Sequence, residues 1–592
     1  MKITASLPSF FSLGFSLVFS LASQAFNIEY VVGVSAFPER RVNVRIVIEG
    51  WRDSKIKFMM PTNFGTAEDL SKLISQVDVK TNGKSRKVNL FAASGKVPSV
   101  TYEALEIEPG TLEIKYVVSP PDYKEYWKLS SAFNIIQKDH AAIKGMQTFV
   151  QIAQLPSDFE NIQIRFELPE GWKVFCPSVQ VEDNICGIGE EIEASERKEA
   201  INNNVYAVGN WERKEAMISG VRLEVLRGGD WEMGFNDFFK AMEAPISWQL
   251  KSMGAHNRKH LSMVVDTYPE EIEITGWSGG GESLHDSTYS LVMRNLSKEE
   301  FLERALYVAA HEFFHSFDWE FDGGEDNMAW FYEGTTDYMA YKSLLDSGVL
   351  SESSVNKVFR FLIEKSYWNQ DAVRSVSILD ASKSLWEDTS SSLRKVQKED
   401  IIYRKTTLLA MAMDGMALEL GSKKTFKDVL SLLWNRHGIN NREISLEIIF
   451  STIYEVMGRE VKDFFVKNLL STKELDMGEM LRMRGLNFSV SNSPDLGLHV
   501  FDAGGSPKVI DFDSGLSRQQ ISHLGLKVGD VIKTLNGRVI LSAWDLGQRV
   551  AQLGQSARVD LEIERNGKTL RVQIPVRNYR KLNFGPTASF RF

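Results

Sequence analysis

His311-Glu312-Phe313-Phe314-His315 constrains this chain more than any other stretch, because its spacing acquires chemical meaning only on a helix. At 3.6 residues per turn, positions i and i+4 share a face, so both imidazoles can address one ion. Glu312 then lies beside that ion and can take a proton from the water it activates. The alternative is a buried helix carrying two hydrogen-bonded histidines. Leu302, Leu306, Ala309 and Phe313 recur at helical spacing, and Ser297 with Glu300 forms a capping box. Together they predict one helix from about Lys298 to Phe317.

A catalytic zinc takes three protein ligands and keeps a fourth position open, and two histidines with a glutamate is one such set. Glu333 lies eighteen residues beyond His315 in Trp330-Phe331-Tyr332-Glu333-Gly334-Thr335-Thr336-Asp337-Tyr338, which reads as the opening of a helix. Alone it would be a first-turn glutamate favoured by the helix dipole. With His311 and His315 it becomes the candidate third ligand. Asp337 falls one turn further on and can hold the N–H of a ligating histidine. Tyr403 enters another apolar helix; it is either a core residue or a hydroxyl that donates to an oxyanion.

The N-terminus reads as a secretory leader over residues 1–25, with Lys2, an apolar run from about Phe10 to Leu21, and Ser23-Gln24-Ala25 as a cleavage site. The run is short for a membrane span, a retained anchor being the alternative, so the mature chain is expected to have no stable span and to be periplasmic or secreted. The formal charge of −9 and the lack of dense Lys/Arg runs argue against nucleic acid as a partner. Cys176 and Cys186, the only cysteines, could form a local disulfide in an exported protein or remain two buried thiols.

Residues 26–226 alternate in short β-rich runs such as Ile28–Val32, Val42–Ile48 and Leu112–Val118, predicting a β-sandwich-like domain. It holds no convincing catalytic cluster, and its His140 is solvated or satisfied by the fold. Residues 227–488 turn mainly helical, with a helix over Phe235–Met253 interrupted at Pro245, a strand over Lys259–Thr267, and later helices over Tyr403–Leu420, Thr425–Arg436 and Leu446–Met457. Gly421 fits a C-terminal cap. Gly279-Gly280-Gly281-Glu282 is either a flexible surface loop or a strand edge that approaches a peptide substrate closely.

Residues 489–580 form a compact module, with Gly525-Leu526-Lys527-Val528-Gly529-Asp530, Leu535-Asn536-Gly537-Arg538, a helix over Ala543–Leu553 and a hairpin at Asn566-Gly567. It resembles a PDZ domain, with Leu496, Gly497 and Leu498 at the carboxylate-binding loop; the resemblance implies a peptide or C-terminus as ligand, added as a strand. Residues 581–592 are left as a tail.

The order of these parts resembles the glycyl aminopeptidase family, gluzincin metallopeptidases with a thermolysin-like catalytic domain. The likeness rests on "HEFFHSFD", "WFYEGTTDYMAYK" and "YRKTTLLAMAMDGMALELGS". It implies a multidomain α+β fold, one zinc ion per chain on His311, His315 and Glu333, Glu312 as general base and Tyr403 as oxyanion donor. Gly279, Gly280, Gly281 and Glu282 resemble the strand whose glutamate binds a substrate's free α-amine, which implies an aminopeptidase acting on peptides or unfolded protein. Ser283, Thr406 and Phe317-Asp318 depart from the family's histidine, glycine and Trp-Asn. The rival readings are a PDZ-assisted endopeptidase and a peptide-binding scaffold whose zinc site is idle.

Overall fold

The computed structural model describes residues 27–584 except 63–69, 92–98, 122–130, 132, 154–160, 178, 189–196, 273–278, 285–286, 318, 323–324, 352–353, 355–356, 359, 369–370, 384–394, 484–487, 504–505, 514–515, 517 and 555–557. The expected leader, Asp318 and residues 585–592 of the expected tail lie outside the described residues. No helix among the described residues is long and apolar enough to cross a membrane.

The N-terminal domain is β-rich. Strand Arg41–Trp51 shows why: Val42, Val44, Ile46 and Ile48 are buried at every second position, which suits a pleated surface with one face inward. It lies within an eight-stranded sheet that shares one apolar core with two four-stranded sheets. Cys176 and Cys186 are joined as a disulfide and buried in that core.

A five-stranded sheet follows, in the order Glu212–Ile218, Val221–Arg227, His260–Thr267, Ser287–Val292, Gly279–Ser283. It therefore begins at Glu212, ahead of the expected boundary at 226, because Val221–Arg227 pairs in parallel with His260–Thr267. Strand pairing at that range has no local signature. The helix Phe235–Met253 supplies the crossover between those two strands. It runs unbroken through Pro245, contrary to the expected interruption. A proline in a helix interior costs about 3 kcal/mol. Phe238, Phe239, Met242, Ile246, Leu250 and Met253 are all buried on it, and each contributes roughly 1.5–3 kcal/mol, so packing wins.

Both faces of the sheet are covered. Leu223, Val225, Met263 and Val265 join the helical core, whereas Leu226, Val264, Tyr289 and Leu291 pack against Ile135, Ala142, Val205 and Ala207 of the N-terminal domain. The edge strand Gly279–Ser283 is left open on one side among the described residues.

At the C-terminal end, Phe488–Asp495 pairs with Arg577–Phe584, so residues 581–584 are strand rather than tail. Leu582 belongs to the helical core, and Arg580 Nη2 donates to Glu474 Oε1 at 2.6 Å. This ribbon holds a small β module with its own core and two helices, Arg518–Leu524 and Ala543–Ala551.

Candidate metal centre

The segment carrying His311 starts at the expected capping box: Ser297 N donates to Glu300 Oε2 at 3.1 Å, and Glu300 N to Ser297 Oγ at 3.3 Å. It is not a uniform α-helix to Phe317. Residues Phe301–Ala305 wind as a π-helical turn, and the α-helix proper runs Leu306–Phe314. The wider turn accommodates an extra residue, so the buried stripe passes through Phe301, Ala305, Ala309 and Phe313 and leaves Leu302 half-buried. His315 caps the last turn in helical conformation.

Glu333 and Asp337 sit on the helix Glu325–Asp346, which begins five residues before Trp330. Both are thus mid-helix, and the dipole reading of Glu333 falls away. Gly334 lets this helix approach its neighbour: a Cβ there would stand 2.4 Å from Thr406 Cβ. Tyr403 lies in a second π-helical turn, Ile401–Lys405, that leads into the helix Thr406–Glu419. Gly421, at φ +78°, closes that helix, with its N–H on the Leu418 carbonyl and that of Ser422 on Ala417.

These helices bring three side chains to one point. His311 Nε2 and His315 Nε2 are 3.1 Å apart, and Glu333 Oε2 is 3.4 Å and 3.2 Å from them. Tetrahedral zinc bonds of 2.0–2.1 Å hold ligand atoms about 3.3 Å apart, so the triangle has the size of a zinc site. Among the described residues it is the group of histidine and acidic side chains able to hold a metal ion. Asp337 accepts from His311 Nδ1 at 2.9 Å, fixing the ring so that Nε2 faces the ligand triangle. Arg404 and Tyr307 both donate to Asp337, and Arg404 Nη1 also reaches the Tyr307 hydroxyl at 2.6 Å.

Burial, the largest influence on each acid here, acts in different company. It pushes Glu312 up to about 7. It pushes Glu333 up too, but His315 and His311 outweigh it and hold that carboxyl below the usual range. Burial, then the charges of Glu333, Glu399 and Asp337, keep the Tyr403 hydroxyl protonated well above the tyrosine range. Its ring stacks on His311 with centroids 5.9 Å apart.

Gly281 explains itself here. A Cβ on it would lie 2.4 Å from Glu312 Cγ, so the strand touches the glutamate directly. Ser131 of the N-terminal domain donates to the Gly281 carbonyl at 3.1 Å. Glu282, next along the strand, is cross-strand partner to Tyr289, and burial raises its carboxyl to about 7. Lys144, from the N-terminal strand His140–Lys144, has its Nζ 2.9 Å from the Tyr289 ring centroid, and burial lowers its ammonium to about 7.

Leu496, Gly497 and Leu498 stand apart from this centre, in the C-terminal module. Leu496 is buried there, and Gly497 has φ +69°. Leu496, Leu498 and Val500 line one side of a cavity of about 630 Å³; Ala543, Leu546 and Val550 line the other.

Three participants escaped the sequence reading. Tyr307 lies one helical turn before His311, and Arg404 directly follows Tyr403, so spacing could have found them. Lys144 comes from another domain, and no local signal marks it. Of the two readings of His140, the structure shows the one in which the fold satisfies it: the buried ring is held between Asp139 and Asp266 at 2.7 and 3.0 Å.

Residues 29–190 match the family model of the Peptidase M61 N-terminal domain, and residues 304–409 match that of the M61 glycyl aminopeptidase. Two stretches of the chain are thus similar to Peptidase M61 domains. No curated protein sequence matches it. Among solved structures, an aminopeptidase N family protein from Idiomarina loihiensis is 15% identical and superposes with a TM-score of 0.73, covering 94% of this chain and 98% of that one. That likeness shows a shared fold. An M1 zinc metallopeptidase from Deinococcus radiodurans is 13% identical with a TM-score of 0.44, covering 76% of this chain and 94% of that one.

Proposed function

We propose that this chain is a zinc-dependent peptidase that acts on peptides bearing a free N-terminus. The observation that carries the reading is the zinc-sized triangle of His311, His315 and Glu333 with Glu312 wedged between it and an open strand edge. One zinc ion per chain, held by those three residues, would supply Lewis acidity to the attacking water and the scissile carbonyl. Glu312, set against Gly281 at the edge strand, takes the proton from that water and returns it to the leaving amine. Tyr403, protonated and beside His311, donates to the developing oxyanion. The edge strand Gly279–Ser283 receives the substrate backbone as an added strand, and Glu282 takes its α-ammonium.

The decisive experiment measures metal content and peptide hydrolysis of wild type and Glu312→Gln. Zinc retained with turnover lost supports the assignment; a Glu312→Gln enzyme that hydrolyses peptides at the wild-type rate refutes it.

A second reading is favoured by the groove between the strand at Leu498 and the helix Ala543–Ala551. A PDZ-like module there would capture an extended peptide or C-terminus and feed an endopeptidase. Comparing N-acetylated with free-amine peptides separates the two, since only the endopeptidase tolerates the acetyl group. Export to the periplasm or beyond is part of the proposal, supported by the disulfide and by the leader-like N-terminus.

A further inference from the structure

Lys144 is 2% exposed, and its Nζ has no hydrogen-bond partner among the described residues. A buried ammonium left so is costly, and the face of Tyr289 offsets only part of the cost. Yet its position is fixed by design of the backbone. Lys144 N donates to Asn134 Oδ1 at 2.7 Å, and Gly145 packs so closely that a Cβ would stand 2.1 Å from the Ile201 carbonyl.

The acids within electrostatic reach of Lys144 are Glu282, Asp266 and Glu312. Asp266 is already engaged by His140 and Gln137. Glu282 is close, being opposite Tyr289 on the neighbouring strand, but forms no hydrogen bond or ion pair with Lys144. Around the Tyr289 ring a carboxylate and an ammonium thus lie within electrostatic reach of each other, the ammonium without a hydrogen-bond partner among the described residues.

We propose that Lys144 is a specificity-determining residue that receives the side-chain carboxylate of an acidic first residue, aspartate or glutamate, whose α-ammonium rests on Glu282. The inference builds on the aminopeptidase reading above. A free N-terminal residue with an acidic side chain carries an ammonium and a carboxylate separated by two or three carbons, complementary in charge to Glu282 and Lys144. A neutral first residue would leave the buried Lys144 Nζ without a hydrogen-bond partner, and such unsatisfied groups are what give a polar site its discrimination.

The test uses zinc-loaded full-length protein and five p-nitroanilides, those of Glu, Asp, Gln, Asn and Ala. The expected kcat/KM for Glu over its isostere Gln is about 10²-fold or more, carried mainly by KM. Lys144→Met should bring that ratio near one, and Lys144→Arg should restore part of it, which a merely structural role would not do. Equal rates for Glu and Gln in the wild type overturn the proposal without any variant. If neutral anilides are cleaved in a Glu312-dependent manner with no acidic preference, Lys144's role alone has failed. If no free-amine substrate is cleaved while zinc is bound, the aminopeptidase reading has failed and takes the inference with it.

Discussion

Replacing Gly281 by alanine should disable the enzyme without disturbing its metal. Gly281 is a strand residue whose backbone shows no positive φ, so alanine meets no conformational penalty there. The cost is steric. The new Cβ would stand 2.4 Å from Glu312 Cγ, 2.7 Å from Oε1 and 2.8 Å from Cδ. Carbon atoms rest about 3.5–4.0 Å apart, so the glutamate or the strand must give by roughly 1 Å. A misplacement of that size at a reacting group costs on the order of 10²-fold in rate. The proposed zinc ligands are not among the atoms nearest the added methyl, so metal content should match that of the wild type. Gly280→Ala is the matched comparison, because its Cβ would meet only Ser131 Oγ at 3.7 Å, an ordinary contact. Steady-state kinetics on a free-amine peptide, with metal analysis of the same preparations, should show the Gly281 variant at least tenfold slower than the Gly280 variant. A Gly281→Ala enzyme with wild-type kcat would refute the claim that this strand sets the position of Glu312.

Two further outcomes follow from the hydrogen-bond networks. Asp337→Ala removes the acceptor that orients His311, and should weaken zinc affinity by about 10–100-fold in a competitive chelator titration, with unchanged affinity counting against its orienting role. His140 is raised from 6.5 to about 10: burial alone would lower it, but the Asp266 charge and the hydrogen bond to Asp139 outweigh that. A raised folded-state pKa contributes stability that is complete below 6.5 and disappears as pH climbs toward about 10. The contribution is on the order of 3–5 kcal/mol at its fullest. His140→Gln should therefore lower the melting temperature strongly at pH 6 and much less at pH 10; a deficit that does not shrink with pH contradicts the assignment.

What could be read from the sequence was what local spacing encodes. His311 and His315 share a face wherever a helix forms, the Ser297–Glu300 box marks its start, and Asp337 follows Glu333 by one turn. The β-rich character of the first domain was equally legible, because alternation along strands such as Arg41–Trp51 is a period of two. The misses share a cause. The boundary expected at 226 cuts the strand Val221–Arg227, because its partner His260–Thr267 lies beyond an intervening helix. Residues 581–584 carry no local strand signal, because their partner strand begins at Phe488. Lys144 and the His140–Asp266 link depend on how two domains face each other. Pro245 shows tertiary packing overriding local preference.

That interdomain face gives the edge strand its significance. Successive side chains on a strand point to opposite sides. Gly281 meets Glu312 on the helical side, whereas Glu282 pairs with Tyr289, whose ring packs among N-terminal-domain residues. A single step along the chain thus separates the group proposed to move protons from the group proposed to read the substrate's end. The N-terminal domain holds the same strand from behind, through Ser131 on the Gly281 carbonyl, and steadies the neighbouring strand through Ser287, which accepts from Val205 N and donates to Asn204. A shift of that domain would move Glu282, Lys144 and Gly281 together, and Gly281 has no slack against Glu312. On the proposed function, the rate of hydrolysis and the choice of first residue are therefore coupled through one edge strand. Mutations that loosen the domain interface should degrade both at once, whereas Lys144→Met should move the choice far more than the rate.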